Sequence, residues 1–183
     1  VVMASNVVAT SQPLAAQAGL GILREGGNAV DAALTAAIAL TVLEPTGNGI
    51  GSDAFAQIWD GRALHGINGS GRSPSSWSFE RFAQHDEMPK YGWDSVTVPG
   101  AVSVWAALSK RFGKLPFEQL FRPAIHYAHD GFPVSPIIAE RWEFGAETFQ
   151  HLSEFSRVFL PGGRVPLPGE LFYFKDAASS LEE

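Results

Sequence analysis

The chain has 183 residues, of which 45% are hydrophobic and 17% charged, a composition of folded globular proteins and not of disordered ones. A formal net charge of −6 without any Lys/Arg cluster argues against nucleic acid or an anionic membrane as the main partner. The absence of cysteine excludes disulfides, thiolate nucleophiles, iron–sulfur clusters and Cys-type zinc sites, and leaves cytosol and periplasm both open as compartments.

Read in chain order, Val1-Val2-Met3-Ala4-Ser5-Asn6 lacks the basic start and apolar stretch of a signal peptide. Ser11-Gln12-Pro13 opens a first helix, with Ser11 as its N-cap and Pro13 in the first turn. Leu14, Ala15, Ala18, Ile22 and Leu23 give it an apolar stripe, and Gly26-Gly27 ends it. Asn28 caps a second helix over about 29–43, and Asp31 adds negative charge near its N-terminus. That helix is apolar nearly all round and so belongs in a core. It would reach only about 22 Å, which is short of a bilayer span.

Glu44-Pro45-Thr46-Gly47-Asn48-Gly49-Ile50-Gly51 is a turn-rich loop, followed by two strands at about 53–59 and 63–68 joined by a hairpin at Asp60-Gly61. Residues 69–95 show no period and read as a surface excursion. Helices are expected over about 100–112, 116–129 and 135–150. Leu160-Pro161-Gly162-Gly163 and Pro166-Leu167-Pro168-Gly169 mark turns. Asp176 to Glu183 opens a further helix without a stop signal, which reads as an element cut short or as a frayed tail. There is no internal repeat and no low-complexity tract.

Few side chains suggest chemistry. The glycine loop 47–53 follows a helix and precedes a strand, the reverse of phosphate-binding loops, and contains no Gly-Lys-Ser/Thr. His126, His129 and Asp130 share one helix end, a pattern that fits a solvated C-terminus better than a metal site; no metal and no cofactor are expected. His65 and His151 are isolated, and neither Ser52 nor Ser70 has the context of a nucleophile elbow. Arg72 stands out. It lies in Asn68-Gly69-Ser70-Gly71-Arg72-Ser73-Pro74, directly after a strand, where a guanidinium is well placed to grip a carboxylate. The alternative is an ordinary arginine in a surface turn.

The segment Glu25-Gly26-Gly27-Asn28-Ala29-Val30-Asp31-Ala32-Ala33, then Glu44-Pro45 with its glycine loop, the strand pair and the Ser-Pro turn, resembles the gamma-glutamyltransferase family. Val98-Pro99-Gly100-Ala101-Val102, Arg111-Phe112-Gly113-Lys114-Leu115-Pro116, and Pro123-Ala124 through Asp130-Gly131-Phe132-Pro133-Val134 extend the resemblance in one register from Met3 to the last residue. It implies an α+β fold, part of the four-layer αββα sandwich of N-terminal-nucleophile hydrolases, with residues 1–183 as the N-terminal, incomplete part of a large subunit. It further implies a self-cleaving precursor whose new N-terminal Thr attacks a γ-glutamyl amide, with its own α-amine as base and water or an acceptor amine taking the acyl group.

None of the six threonines, Thr10, Thr35, Thr41, Thr46, Thr97 and Thr148, begins a Thr-Thr-His type segment, so the nucleophile is expected outside this chain. The implied partners are a small-molecule amide, the remainder of the large subunit and a Thr-initiated small subunit. Two departures concern specificity. Gly49-Ile50-Gly51-Ser52-Asp53-Ala54-Phe55 stands where transferases carry a run of four glycines before Phe. Where they carry Asp-x-Arg-Glu-x-Ala-Pro, whose Arg binds the glutamyl α-carboxylate, alignment on Pro74 puts Ser70 at the Arg position and Arg72 two residues later. That version is similar to the cephalosporin-acylase-like and small-amide hydrolase branch. Ser70 and Arg72 are the substrate-binding candidates; a standalone module without catalysis is the alternative of another class.

Overall fold

A computed structural model describes residues 4–183; Val1 to Met3, part of the start read above for a signal peptide and of the resemblance, lie outside the described residues. The first elements are helices α1 (Pro13–Arg24) and α2 (Ala29–Leu43), strands β1 (Ala54–Trp59) and β2 (Leu64–Gly69), and helices α3 (Phe79–Phe82) and α4 (Ala101–Phe112). Then come α5 (Arg122–Asp130), β3 (Phe132–Pro133), α6 (Pro136–Phe149), α7 (Ser153–Phe159), β4 (Leu171–Phe172) and α8 (Lys175–Glu182). This is a helix-rich α+β chain with two small antiparallel sheets. It divides into two compact units, Ile50–Leu108 and the remainder, with the division falling inside α4.

In the larger unit, α1 and α2 pack closely through small residues. At Gly19 a Cβ would sit 2.7 Å from the Ala32 carbonyl oxygen, so only glycine permits this approach. The N-cap of α1 is Gln12 and not Ser11: the longer side chain folds back, is itself buried, and its Oε1 accepts from the Leu14 and Ala15 N–H groups. Asn28 caps α2 as expected, its Oδ1 accepting from Val30 N (2.9 Å) and Asp31 N (3.0 Å), while an Asp31 oxygen accepts from Asn28 N (2.9 Å).

The same two side chains reach much further along the chain. Asn28 Nδ2 donates to the Phe112 carbonyl (2.7 Å), and the Asp31 oxygens accept from Lys114 N (3.1 Å) and Leu115 N (3.3 Å). Asp31 is 0% exposed. A cap readable from local spacing is therefore also the clasp that fixes the turn after α4.

The single helix expected over 116–129 is two elements, a 3-10 stretch Phe117–Phe121 and then α5. Pro123 lacks an N–H to give to the Gln119 carbonyl, so an α-helix restarts there with the proline in its first turn. β3, β4 and α7 have no local signal strong enough to announce them and are held by aromatic packing. Phe132 pairs with Phe172 across the β3–β4 ladder, Trp142 lies 4.7 Å from the Phe172 ring, and Trp142 Nε1 donates to the Phe159 carbonyl at the end of α7 (2.8 Å). No helix among the described residues is long and apolar enough to cross a membrane.

In the smaller unit β1 and β2 pair from Ala54↔Gly69 to Trp59↔Leu64. The turn spans Asp60 to Ala63 and is not the tight two-residue Asp-Gly form. Asp60 Oδ1 accepts from both Arg62 N and Ala63 N (2.8 Å each), and Gly61 has φ +92°. These N–H groups and the His65 ring (2.7 Å) hold the Asp60 carboxyl well below the usual carboxylate range. The excursion 69–95 contains α3, fastened by Arg81 donating twice to Asp94 Oδ1.

The Asp31 clasp yields a stability prediction. Asp31→Ala strands several N–H groups around a buried site and is expected to cost about 3 kcal/mol or more. Asp31→Asn keeps one acceptor and is expected to cost less. Denaturant unfolding checks both; a cost below about 1 kcal/mol for the alanine variant would remove the clasp from its structural role.

Candidate functional site

The two substrate-binding candidates sit on the loop that leaves β2. Asn68, the penultimate residue of the strand, turns its Oδ1 back to accept from Ser70 N (2.9 Å). The Ser70 carbonyl accepts from Thr97 Oγ1 (3.1 Å), and the Arg72 carbonyl accepts from Val98 N (2.9 Å). Between them Gly71 adopts φ +82°, with its Cβ position only 2.0 Å from the Val98 carbonyl oxygen. No other residue fits that conformation and that space without a shift. The 97–100 segment is anchored in turn, because the Ser52 carbonyl accepts from Gly100 N (3.1 Å) and Ala101 N (3.0 Å).

The backbone of this loop is thus pinned at residue after residue, while the Ser70 and Arg72 side chains are exposed. Among the described residues the Arg72 guanidinium has no hydrogen-bond or ion-pair partner. A rigid backbone carrying a free guanidinium and a hydroxyl two residues apart is chemically suited to hold a planar anion, with the fork of Arg72 supplying paired donors.

The other ionisable clusters are satisfied internally. His65 is not isolated: its Nε2 meets Asp60 Oδ2 at 2.7 Å across the hairpin turn. His126 Nδ1 and His129 Nδ1 both turn onto Asp130, at 2.6 and 2.8 Å, and these contacts lower the Asp130 pKa. Among the described residues no group of three His, Cys, Asp or Glu is arranged to hold a metal. Recesses of about 500 Å³ beside the outer face of α2, about 220 Å³ against α6 and α7, and about 520 Å³ on the hairpin bring in Arg141 as their one ionisable group.

A family model for gamma-glutamyltranspeptidase matches residues 15–183. The chain belongs to the gamma-glutamyltranspeptidase family. It is 36% identical over 184 residues to the glutathione hydrolase-like YwrD proenzyme of Bacillus subtilis strain 168, covering 99% of this chain and 35% of that protein. A crystal structure of a cephalosporin acylase from Bacillus halodurans is similar at TM-score 0.89 and 46% identity, covering 99% of this chain and 37% of that one. A gamma-glutamyltranspeptidase structure from Helicobacter pylori is similar at TM-score 0.91 and 29% identity, covering 98% of this chain and 54% of that one. The α+β fold is accordingly that of the N-terminal-nucleophile hydrolases. The chain spans about a third of the length of the curated relatives it matches.

Two residues that hold this loop, Asn68 on β2 and Thr97 in the 97–100 segment, are not marked as functional by the sequence. Asn68 carries a local signal, an Asn two positions before a Ser that it can cap. Thr97 carries none, since its partner Ser70 lies 27 residues earlier. Gly71 provides the check on the loop. Gly71→Ala is expected to destabilise the protein by at least about 1 kcal/mol, with faster amide exchange at 70–72. Gly51→Ala, where an added Cβ meets nothing within 4 Å, is the control. Equal thermal shifts for the two variants would contradict the pinned geometry.

Proposed function

We propose that this chain is the N-terminal part of the large subunit of a proenzyme that cleaves amides through an acyl-enzyme. The nucleophile is an N-terminal Thr in polypeptide outside these residues, with its α-amine as base. The chain's own contribution is recognition: Arg72, with Ser70 beside it, binds a carboxylate at the acyl end of the substrate. The observation that carries this is the exposed guanidinium, without a partner among the described residues, on a hydrogen-bonded loop directly after β2. A bound carboxylate there fixes the acyl chain, so that the amide carbonyl is presented to the nucleophile in one pose and chemistry draws on orientation.

Two substrate classes meet this description, γ-glutamyl amides and side chains of glutaryl type. The second is favoured by the displacement of the arginine to position 72 with Ser70 in its stead, and by the 46% identity to a cephalosporin acylase. A γ-glutamyl group presents an α-amine as well as an α-carboxylate, and the loop offers donors for the carboxylate but no acidic side chain for the amine. The partners of the chain in this reading are the remainder of the large subunit and the small subunit, in keeping with the proenzyme names of its relatives.

In the full-length protein, Arg72→Ala is expected to lower kcat/KM by about tenfold to a hundredfold for amides whose acyl group ends in a carboxylate, and little for neutral isosteres. Arg72→Lys is expected not to rescue, because an ammonium lacks the planar fork. An equal loss on both substrate types, or none, would make Arg72 a turn residue. The 183-residue chain alone is expected to be inactive, and hydrolysis by it at enzyme rates would overturn the assignment of the nucleophile.

A further inference from the structure

We infer that Thr97 is a positioning residue for the Ser70–Arg72 substrate-binding pair, and so a determinant of selectivity for carboxylate-bearing acyl groups; the inference rests on the reading of Arg72 given above. The geometry is specific. The 97–98 segment holds the loop at two points, through the Thr97 hydroxyl on the Ser70 carbonyl (3.1 Å) and through the Val98 N–H on the Arg72 carbonyl (2.9 Å). Gly71 lies between these points with φ +82°, its Cβ position 3.0 Å from Thr97 Oγ1.

Two anchors either side of a turned glycine set the direction in which each flanking side chain leaves the backbone. Without the Thr97 hydroxyl the Ser70 carbonyl loses its hydrogen bond, and the Ser70–Gly71 peptide is left to turn between the Asn68 contact on Ser70 N and the Val98 contact on the Arg72 carbonyl, with glycine placing little restraint on its own torsions. Rotation there alters the separation of the Ser70 hydroxyl and the Arg72 guanidinium without detaching the loop. Thr97 does not contact the proposed ligand; its effect is transmitted through the Ser70 carbonyl. A displaced clamp weakens binding of the carboxylate and leaves the nucleophile unaffected, so the cost falls on KM for one substrate class.

The test uses the full-length protein with a pair of amide substrates, one with a terminal acyl carboxylate and one with a neutral isostere. Thr97→Val preserves shape and removes the donor. It is expected to raise KM for the carboxylate substrate by about threefold to tenfold, with kcat and the neutral substrate nearly unchanged. Thr97→Ala is expected to behave like it, and Thr97→Ser to retain wild-type behaviour. In an Arg72→Ala background Thr97→Val should cost less than it does in the wild type, since a displaced Ser70 hydroxyl has no guanidinium left to act with. Equal losses on both substrates, a serine variant as impaired as valine, or full additivity with Arg72→Ala would overturn the inference. Arg72→Ala altering selectivity while Thr97→Val and Thr97→Ala do not would overturn it and leave the reading of Arg72 standing. An Arg72→Ala variant with unaltered selectivity would instead overturn the reading itself.

Discussion

Asp31 is a side chain without exposure whose two oxygens collect N–H groups from Asn28, Lys114 and Leu115. A buried carboxyl group is expensive unless its oxygens are satisfied, and backbone N–H groups at the start of a helix and in a turn satisfy them with directional bonds. The constraint works in both directions. Asp31 can be buried only if residues 113–115 arrive at the N-terminus of α2, and that turn has its N–H groups satisfied only if α2 starts at Ala29. With Asn28 also holding the Phe112 carbonyl, segments more than eighty residues apart are fastened at one point. The apolar α2 then buries Ala32, Ile38, Ala39 and Val42 in the core.

The loop after β2 uses the same device for a different end. Its hydrogen bonds consume backbone groups and the side chains of Asn68 and Thr97, leaving the Ser70 and Arg72 side chains uncommitted. Around α5 and the hairpin turn the opposite holds: His65, His126 and His129 each find a carboxylate within 2.8 Å. Charged groups that already have partners contribute to local order. A guanidinium without one, on a backbone that cannot relax toward a neighbour, is available to a ligand. Arg72 shares a free guanidinium with Arg24, Arg62 and Arg141 among the described residues, and differs from them in standing beside Ser70 on the hydrogen-bonded loop after β2.

The hairpin presents large apolar side chains to solvent. Phe55 and Trp59 on β1 are 63% and 65% exposed, Leu64 on β2 is 64% exposed, and a two-stranded sheet has marginal stability by itself. Such area is ordinarily covered.

Several features were determined by the sequence alone because their causes are local. Asn28 specifies a helix cap with Asp31 as a negative charge in the first turn, Gly26-Gly27 a helix stop, and Asp60-Gly61 between two strands a hairpin. The run from Glu25 to Ala33, with the motifs that follow it in one register, pointed to the family. Tertiary structure decided what depends on distant partners. It chose Gln12 over Ser11 as a cap by giving the longer side chain a buried seat, and it formed α7, β3 and β4 through aromatic contacts centred on Trp142 and Phe172. It paired His65 with Asp60 and joined Thr97 to Ser70 across 27 residues. A local signal expresses the torsional and capping preferences of a few neighbouring residues, whereas these contacts exist only once chain entropy has been spent bringing remote segments together, which no window of sequence records.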